Sequence, residues 1–223
     1  MRLNKLLVNL SVASSRRAAD DLINSGYILD QDNNRLTFDS DTNYIKEIKY
    51  LGNTYTVDSD NQIKRAIILL NKPIGYVCSN KDKYNKTIFE LLPSEYKNYK
   101  IAGRLDKDSE GLVILSNDGD FVNHLIHPSS NKSKVYIIKT DKELSQDQIE
   151  LLLNGVEIDS RLARIYKIDK VSKLCYKLEL KTGLNRQIRK SLALLGIKVT
   201  SLARIKIADY DLGRLNSSKY VII

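Results

Sequence analysis

The chain of 223 residues has no tryptophan, only two cysteines and only two histidines. Cys78 and Cys175 are too few for a disulfide framework, and two cysteines with two histidines argue against a structural zinc site. His124 and His127 form an H-x-x-H pair with no third ligand in sight and read as surface or turn residues. No apolar run approaches the ~18–20 residues of a membrane span. The apolar start of the chain is interrupted by Asn4, Lys5 and Asn9, so no signal peptide is expected. No G-x-x-x-x-G-K-[ST] segment occurs, which disfavours a GTPase or ATPase. The expectation is a cytoplasmic protein without metal, cofactor or membrane association. What the chain does have is a hydrophobic content of 42%, enough for a real core, and 36 Lys+Arg against 27 Asp+Glu, a net +9. A basic protein suits an acidic partner, most commonly nucleic acid.

The charge is uneven. Residues 1–60 carry seven basic and nine acidic side chains, yet the first 19 residues hold Arg2, Lys5, Arg16 and Arg17 with no acid. A second acid-free tract runs from Lys181 to Ala208 and holds seven cations. Two basic tracts fit a polyanion gripped at two places. Taken alone, each charge run is better read as a solvated surface.

Local patterns divide the chain. Leu3, Leu6, Leu7 and Leu10 repeat at helical spacing. Ser15 as an N-cap and Gly26 just past the end bracket a second short helix. This puts Arg16 and Arg17 in its first turn, where a bound phosphate would offset their unfavourable position on the helix dipole. Tyr27–Val57 then turns β-like in short pieces (YILD, RLTF, YIKEIKYL, TYTV), and polar Asp58–Gln62 reads as a linker. Beyond it, strands are predicted over Arg65–Leu70, Tyr76–Ser79, Leu112–Leu115, Lys134–Lys139, Ile165–Val171 and Cys175–Leu180. Helices are predicted over Asp120–Ile126 and Ser145–Leu153. The mixture predicts an α+β fold: an N-terminal helix–helix–β domain over residues 1–60, then a domain over 61–223 with a mostly antiparallel mixed sheet flanked by helices.

Two segments have the residues for chemistry. Ile101–Gly119 (IAGRLDKDSEGLVILSNDG) packs Arg104, Asp106, Lys107, Asp108 and Glu110 into a loop before a strand. Arg104 and Lys107 flank Asp106 in sequence and favour its ionised form, and an ionised carboxylate can act as a nucleophile. Without further context such a loop is also a plain solvated turn. Thr182–Gly196 (TGLNRQIRKSLALLG) has an apolar stripe of Ile188, Leu192 and Leu195 closed by Gly196, with Arg186, Arg189 and Lys190 on other faces. One of these arginines could hold an aspartate bidentately while others contact phosphates. Tyr136, on a predicted strand after Lys134, could stack on a base, although position alone does not single it out among thirteen tyrosines.

These segments, in this order, closely resemble the RsuA-type family of bacterial pseudouridine synthases with its RluB, RluE and RluF branches. RLNKLLVNLSVASSRRAADDLINSGYI resembles the S4 RNA-binding module, and IILLNKPIGYVCS the opening strand of the catalytic domain. IAGRLDKDSEGLVILSNDGD resembles the catalytic motif, KVYIIK the strand that carries a tyrosine, and LNRQIRK the arginine motif. The resemblance implies that Asp106 is the essential aspartate, Tyr136 the residue stacked on the target uracil, and Arg189 the basic residue that pairs with the aspartate. Leu202 would line the pocket. Arg104, Lys134, Arg186 and Lys190 would contact RNA, joined by Lys5, Arg16 and Arg17 of the N-terminal module. Several members have glycine near position 208, where this chain has Ala208, which bears on the branch and not on the reaction.

The implied reaction converts a uridine in RNA to pseudouridine. The wording RLDKDSEG and LNRQIRK resembles the RluE/RluF side of the family, which implies 23S rRNA. 16S rRNA and then tRNA are the nearest alternatives, and ribosomal subunit precursors are further possible partners. A monomer is expected. The rival from another class is a non-catalytic RNA-binding assembly factor, which would bind tightly without isomerising.

Overall fold

The computed structural model describes residues 1–57 and 65–223. The chain divides into two compact units, Met1–Ile63 and Lys64–Ile223. The expected linker at Asp58–Gln62, and the boundary placed at residue 60, fall outside the described residues.

In the first unit, α1 (Leu3–Asn9) and α2 (Arg16–Ser25) precede a hairpin of β1 (Glu47–Tyr50) and β2 (Asn53–Thr56). The Ser15 hydroxyl accepts from the Ala18 N–H at 3.1 Å, and Gly26 closes α2 in the left-handed region at φ +78°. Leu3, Leu6 and Leu7 of α1 and Ala19 and Ile23 of α2 are buried with Ile28, Leu36 and Ile48 in one apolar cluster. The segments YILD and RLTF are not strands. Leu29 makes only isolated bridges, to Arg35 and Lys49. The reason is local, because Asp30 Oδ1 accepts the N–H groups of Asp32 (2.9 Å) and Asn34 (2.8 Å) and turns the chain before a ladder can extend.

The second unit is α+β. Its order is β3 (Ile67–Lys72), β4 (Lys100–Ala102), β5 (Glu110–Ser116), α3 (Gly119–Ile126), β6 (Lys134–Thr140), α4 (Gln146–Asn154), β7 (Val156–Ile158), β8 (Arg161–Ala163), β9 (Lys167–Ser172), β10 (Cys175–Leu180), α5 (Gln187–Leu194), β11 (Val199–Ile207), β12 (Tyr210–Asp211) and β13 (Tyr220–Ile222). Among the described residues, nine of these strands form one sheet with the path β13-β3-β5-β11-β6-β10-β9, while β4 pairs with β5 and β12 with β11. Every pairing in it is antiparallel except β5 with β11, a short parallel seam at Ala203–Glu110 and Arg204–Gly111. This seam joins the β13-β3-β5 half of the sheet to the β11-β6-β10-β9 half.

One face of the sheet buries Ile68, Leu70, Val113, Leu115, Ile138 and Leu178. The other buries Ile67, Leu69, Leu112 and Ile114 beneath Val122 and Leu125 of α3. Strands covered on both faces read as continuous apolar runs, as β3 and β5 do. Asp118 caps α3, and Ser145 with Gln148 forms a capping box on α4. Ala208 adopts φ +49° after β11, a conformation glycine takes at lower cost.

Tyr76–Ser79 does not form the expected strand. Val77 makes a single bridge to Thr87. The buried Lys72 ammonium takes the carbonyls of Pro73 (2.9 Å) and Tyr76 (2.8 Å), folding the chain back instead of leaving those groups to a ladder. No described helix is long and apolar enough to cross a membrane.

Candidate active site

The loop from Gly103 to Ser109 links β4 to β5. Leu105 is buried and anchors it, with its N–H donating to Cys78 Sγ at 3.4 Å. The Ser109 N–H donates back to the Asp106 carbonyl at 3.1 Å, closing a turn at the aspartate. The Asp106 side chain is 36% exposed, so it faces a wet opening and not the core. That opening is a cleft of about 90 Å³ whose lining includes Arg104, Asp106, Tyr136, Arg186, Arg189 and Leu202. These six sequence candidates thus come together from the loop, β6, β11 and α5. Tyr136 is 9% exposed and sits opposite Arg204 of β11.

The ion pairing differs from the expectation. Arg189 does not pair with Asp106. Its Nη2 donates to the Asp108 carbonyl at 2.8 Å, its Nη1 donates to the Val199 carbonyl at 3.0 Å, and its Nε lies 3.4 Å from Asp108 Oδ2. Arg186 is the guanidinium beside Asp106, with Nη1 3.6 Å from Oδ2. The cause is the backbone at the start of α5. Arg186 is its N-cap at φ +51°, a left-handed conformation that is strained for a non-glycine residue. Arg186 also holds Asp108 with two bonds of 3.1 and 2.8 Å. Arg189, one turn into the helix, is spent on the Asp108 carbonyl of the loop and the Val199 carbonyl of β11.

The Arg186 hydrogen bonds hold the Asp108 carboxyl below its ordinary value of 3.8, and the nearby Arg189 charge acts in the same direction against partial burial. A lowered native value means that the contact stabilises the fold above the ordinary carboxylate pKa and is lost as pH falls through the native one. The difference in Tm between wild type and Asp108→Asn should therefore be present at pH 7 and shrink below about pH 3.8 in a thermal-melt series. A difference that stays constant down to pH 3 would show that the carboxylate charge is idle.

Other candidates lie elsewhere. Lys107 turns away from Asp106 and donates to Asn85 Oδ1 at 2.7 Å, so it does not flank the carboxylate. Lys190 pairs with Asp159 at 2.5 Å, in the β7–β8 turn. Lys134 starts β6 half-buried, and burial first, then the Arg204 charge, pushes its ammonium below the usual lysine value. Neither lysine lines the cleft. Lys5 lies on α1, and Arg16 and Arg17 are exposed in the first turn of α2, all within the first unit. His127 Nδ1 is within 2.7 Å of the Ser129 hydroxyl, a local turn contact.

The structure also adds residues. Gln187 is buried under the start of α5. Its Oε1 accepts from the Thr182 hydroxyl (2.9 Å) and the Leu184 N–H (3.2 Å), and its Nε2 donates to the Arg164 carbonyl (3.1 Å). Lys72 and Arg204 are fully buried cations. Burial lowers the Lys72 pKa against the attraction of Cys78, Asp108 and Asp106. The one sequence signal for Arg204 was its place two residues after Leu202, on the inward period of a strand.

Comparison with known proteins bears on the family and the fold. Residues 66–194 match the family model described as RNA pseudouridylate synthase. The chain is 30% identical over 212 residues to the dual-specificity RNA pseudouridine synthase RluF of Escherichia coli strain K12, covering 95% of this chain and 71% of that protein. It is also 30% identical to an uncharacterized RNA pseudouridine synthase of Rickettsia felis, covering 98% of this chain and 95% of that one. A crystal structure of a pseudouridylate synthase superposes with a TM-score of 0.70 at 23% identity, covering 100% of this chain and 96% of the other, which speaks to the shared fold.

Proposed function

The chain belongs to the RNA pseudouridylate synthase family, and from that membership we propose that it isomerises a uridine of ribosomal RNA, 23S rRNA foremost, with Asp106 as the nucleophile. The observation that carries the reading is a cleft whose lining includes Asp106, Tyr136, Arg186 and Leu202.

In the reaction the N1–C1′ bond of the uridine breaks, the uracil turns, and C5 bonds to C1′. The C5 proton leaves and N1 gains one, so the product is an isomer. Whether the carboxylate adds to C1′ or to the uracil ring, it must be ionised to act. Arg186, 3.6 Å from it, is the cation placed to balance charge as the glycosidic bond breaks. Arg189 contributes by holding the loop through the Asp108 carbonyl. Leu202 and the Tyr136 ring supply the apolar walls for a flat base.

The target base must leave its stack, at a cost of roughly a few kcal/mol. Stacking on an aromatic ring returns about 1–3 kcal/mol, and cationic contacts to flanking phosphates add to it. Arg104 serves at the rim, with Lys134 and Lys190 further out. The unit Met1–Ile63 is proposed as an S4-type RNA-binding module, with Lys5, Arg16 and Arg17 as its phosphate contacts. Action on ribosomal RNA or on subunit precursors, as a cytoplasmic monomer, completes the proposal.

Pseudouridine mapping of total RNA from cells with and without the gene tests reaction and substrate together. One or more 23S sites should disappear in the deletion and return on complementation. Disappearance of a 16S or tRNA site instead would redirect the substrate, and an unchanged map alongside tight RNA binding would favour the non-catalytic assembly factor.

A further inference from the structure

Arg204 is 2% exposed and lies on β11 outside the cleft lining, yet it reaches across the parallel seam of the sheet. Its Nε donates to the Leu112 carbonyl at 2.8 Å and its Nη1 donates to the Arg104 carbonyl at 3.3 Å. The Arg104 carbonyl lies at the entrance of the loop that carries Asp106, and the Leu112 carbonyl lies in β5 just beyond its exit. Its own backbone presses on the same loop exit, because a Cβ at Gly111 would come within 2.2 Å of the Arg204 carbonyl oxygen. On its other side, Arg204 is the cross-strand neighbour of Tyr136. Asp106 belongs to the β5 half of the sheet and Tyr136 to the β6 half, and Arg204 is bonded to the first while standing beside the second. Its Nη2 is buried with no hydrogen-bond partner among the described residues. A methionine of similar length would have satisfied an apolar site without leaving a donor unmet, so packing alone does not account for a guanidinium here.

We propose that Arg204 is a positioning residue that ties the entrance of the Asp106 loop to β5 and keeps both in register with Tyr136 across the seam. The inference rests on the reading of Asp106 as nucleophile. It does not touch substrate, so its removal should slow chemistry without weakening RNA binding. A misplacement of the reacting group by about 1 Å costs on the order of 10²-fold in rate.

The test compares wild type, Arg204→Met, Arg204→Lys, Asp106→Asn and a destabilised control outside the cleft lining, Leu125→Ala on the buried face of α3. The substrate is 5-tritiated ribosomal RNA from cells lacking the gene. Tritium release gives kcat and KM, filter binding gives RNA affinity, and thermal melts give Tm. Arg204→Met should lose about 100-fold in kcat with KM unchanged. Arg204→Lys, which keeps the charge but not the planar fork that spans both carbonyls, should fall in between. Leu125→Ala should keep wild-type kcat below its Tm. A folded Arg204→Met with kcat near wild type overturns the proposal, as does a loss that Leu125→Ala matches at equal Tm. If Arg204→Met does not fold, Arg204→Lys decides, and wild-type kcat in that variant, or its own failure to fold, also overturns it. An active Asp106→Asn would remove the underlying reading, whereas an inactive one beside a fully active Arg204→Met removes this inference alone.

Discussion

Asp106→Asn is expected to stop tritium release from 5-tritiated RNA while leaving RNA binding intact. The substitution keeps the shape of the side chain and removes its charge and nucleophilicity. Loss of a nucleophile of this kind costs roughly 10⁴-fold or more in turnover, about 5 kcal/mol of transition-state stabilisation. The fold should barely notice. The Asp106 side chain is about one-third exposed and its ion contact with Arg186 is long, at 3.6 Å. An exposed pair at that distance contributes about 0–1 kcal/mol. RNA affinity should hold because contacts between cations and phosphates dominate it. Substantial tritium release by the variant would end the assignment of Asp106. Loss of RNA binding together with turnover would point to a collapsed loop, and the melting curve would reveal that.

Elements with a local signal were legible in advance. Ser15 and Gly26 bracket α2, Ser145 caps α4, and the apolar runs of β3 and β5 mark the centre of the sheet. The failures share one cause, side chains that capture backbone groups. Asp30 draws in two N–H groups where strands were expected, and Lys72 draws in two carbonyls. The charged loop and the arginine helix stood out in the sequence because their residues are contiguous. The pairing between them did not. Arg186 and Arg189 are three apart and share a helix face, Asp106 and Asp108 are two apart in a loop, and the left-handed backbone at Arg186 decides which ions meet. Apart from its spacing from Leu202, Arg204 was visible only as one cation in a basic tract. Its burial follows from register, since pairing opposite Tyr136 points it inward, and such long-range register leaves no mark on nearby sequence.

Gly111→Ala should be the most damaging single-methyl change in the second unit. Gly111 has φ +105°, which L side chains rarely adopt, and a new Cβ would meet the Arg204 carbonyl oxygen at 2.2 Å and its nitrogen at 2.7 Å. Both contacts are backbone, so neither can rotate aside. Relief requires the seam between β5 and β11 to open. We expect a loss of about 3 kcal/mol or more, which for a domain of this size lowers Tm by about 6–12 °C. Gly119→Ala is the matched control. Gly119 opens α3, a Cβ there meets nothing within 4 Å, and its φ is ordinary, so its Tm should be equal to or slightly above that of wild type. The catalytic consequence follows from where the seam lies. Asp106 enters the cleft from the β5 side, while Tyr136, Leu202 and Arg186 enter from β6, β11 and α5 on the other side. Prising the strands apart separates the nucleophile from the surfaces that hold the base. Gly111→Ala should therefore lose turnover even at temperatures where circular dichroism reports a folded protein, and more steeply than its Tm alone would predict. Wild-type turnover and wild-type Tm together in this variant would mean that the two halves of the sheet do not meet as closely as 2.2 Å implies, and that the alignment of the cleft depends on something other than this seam.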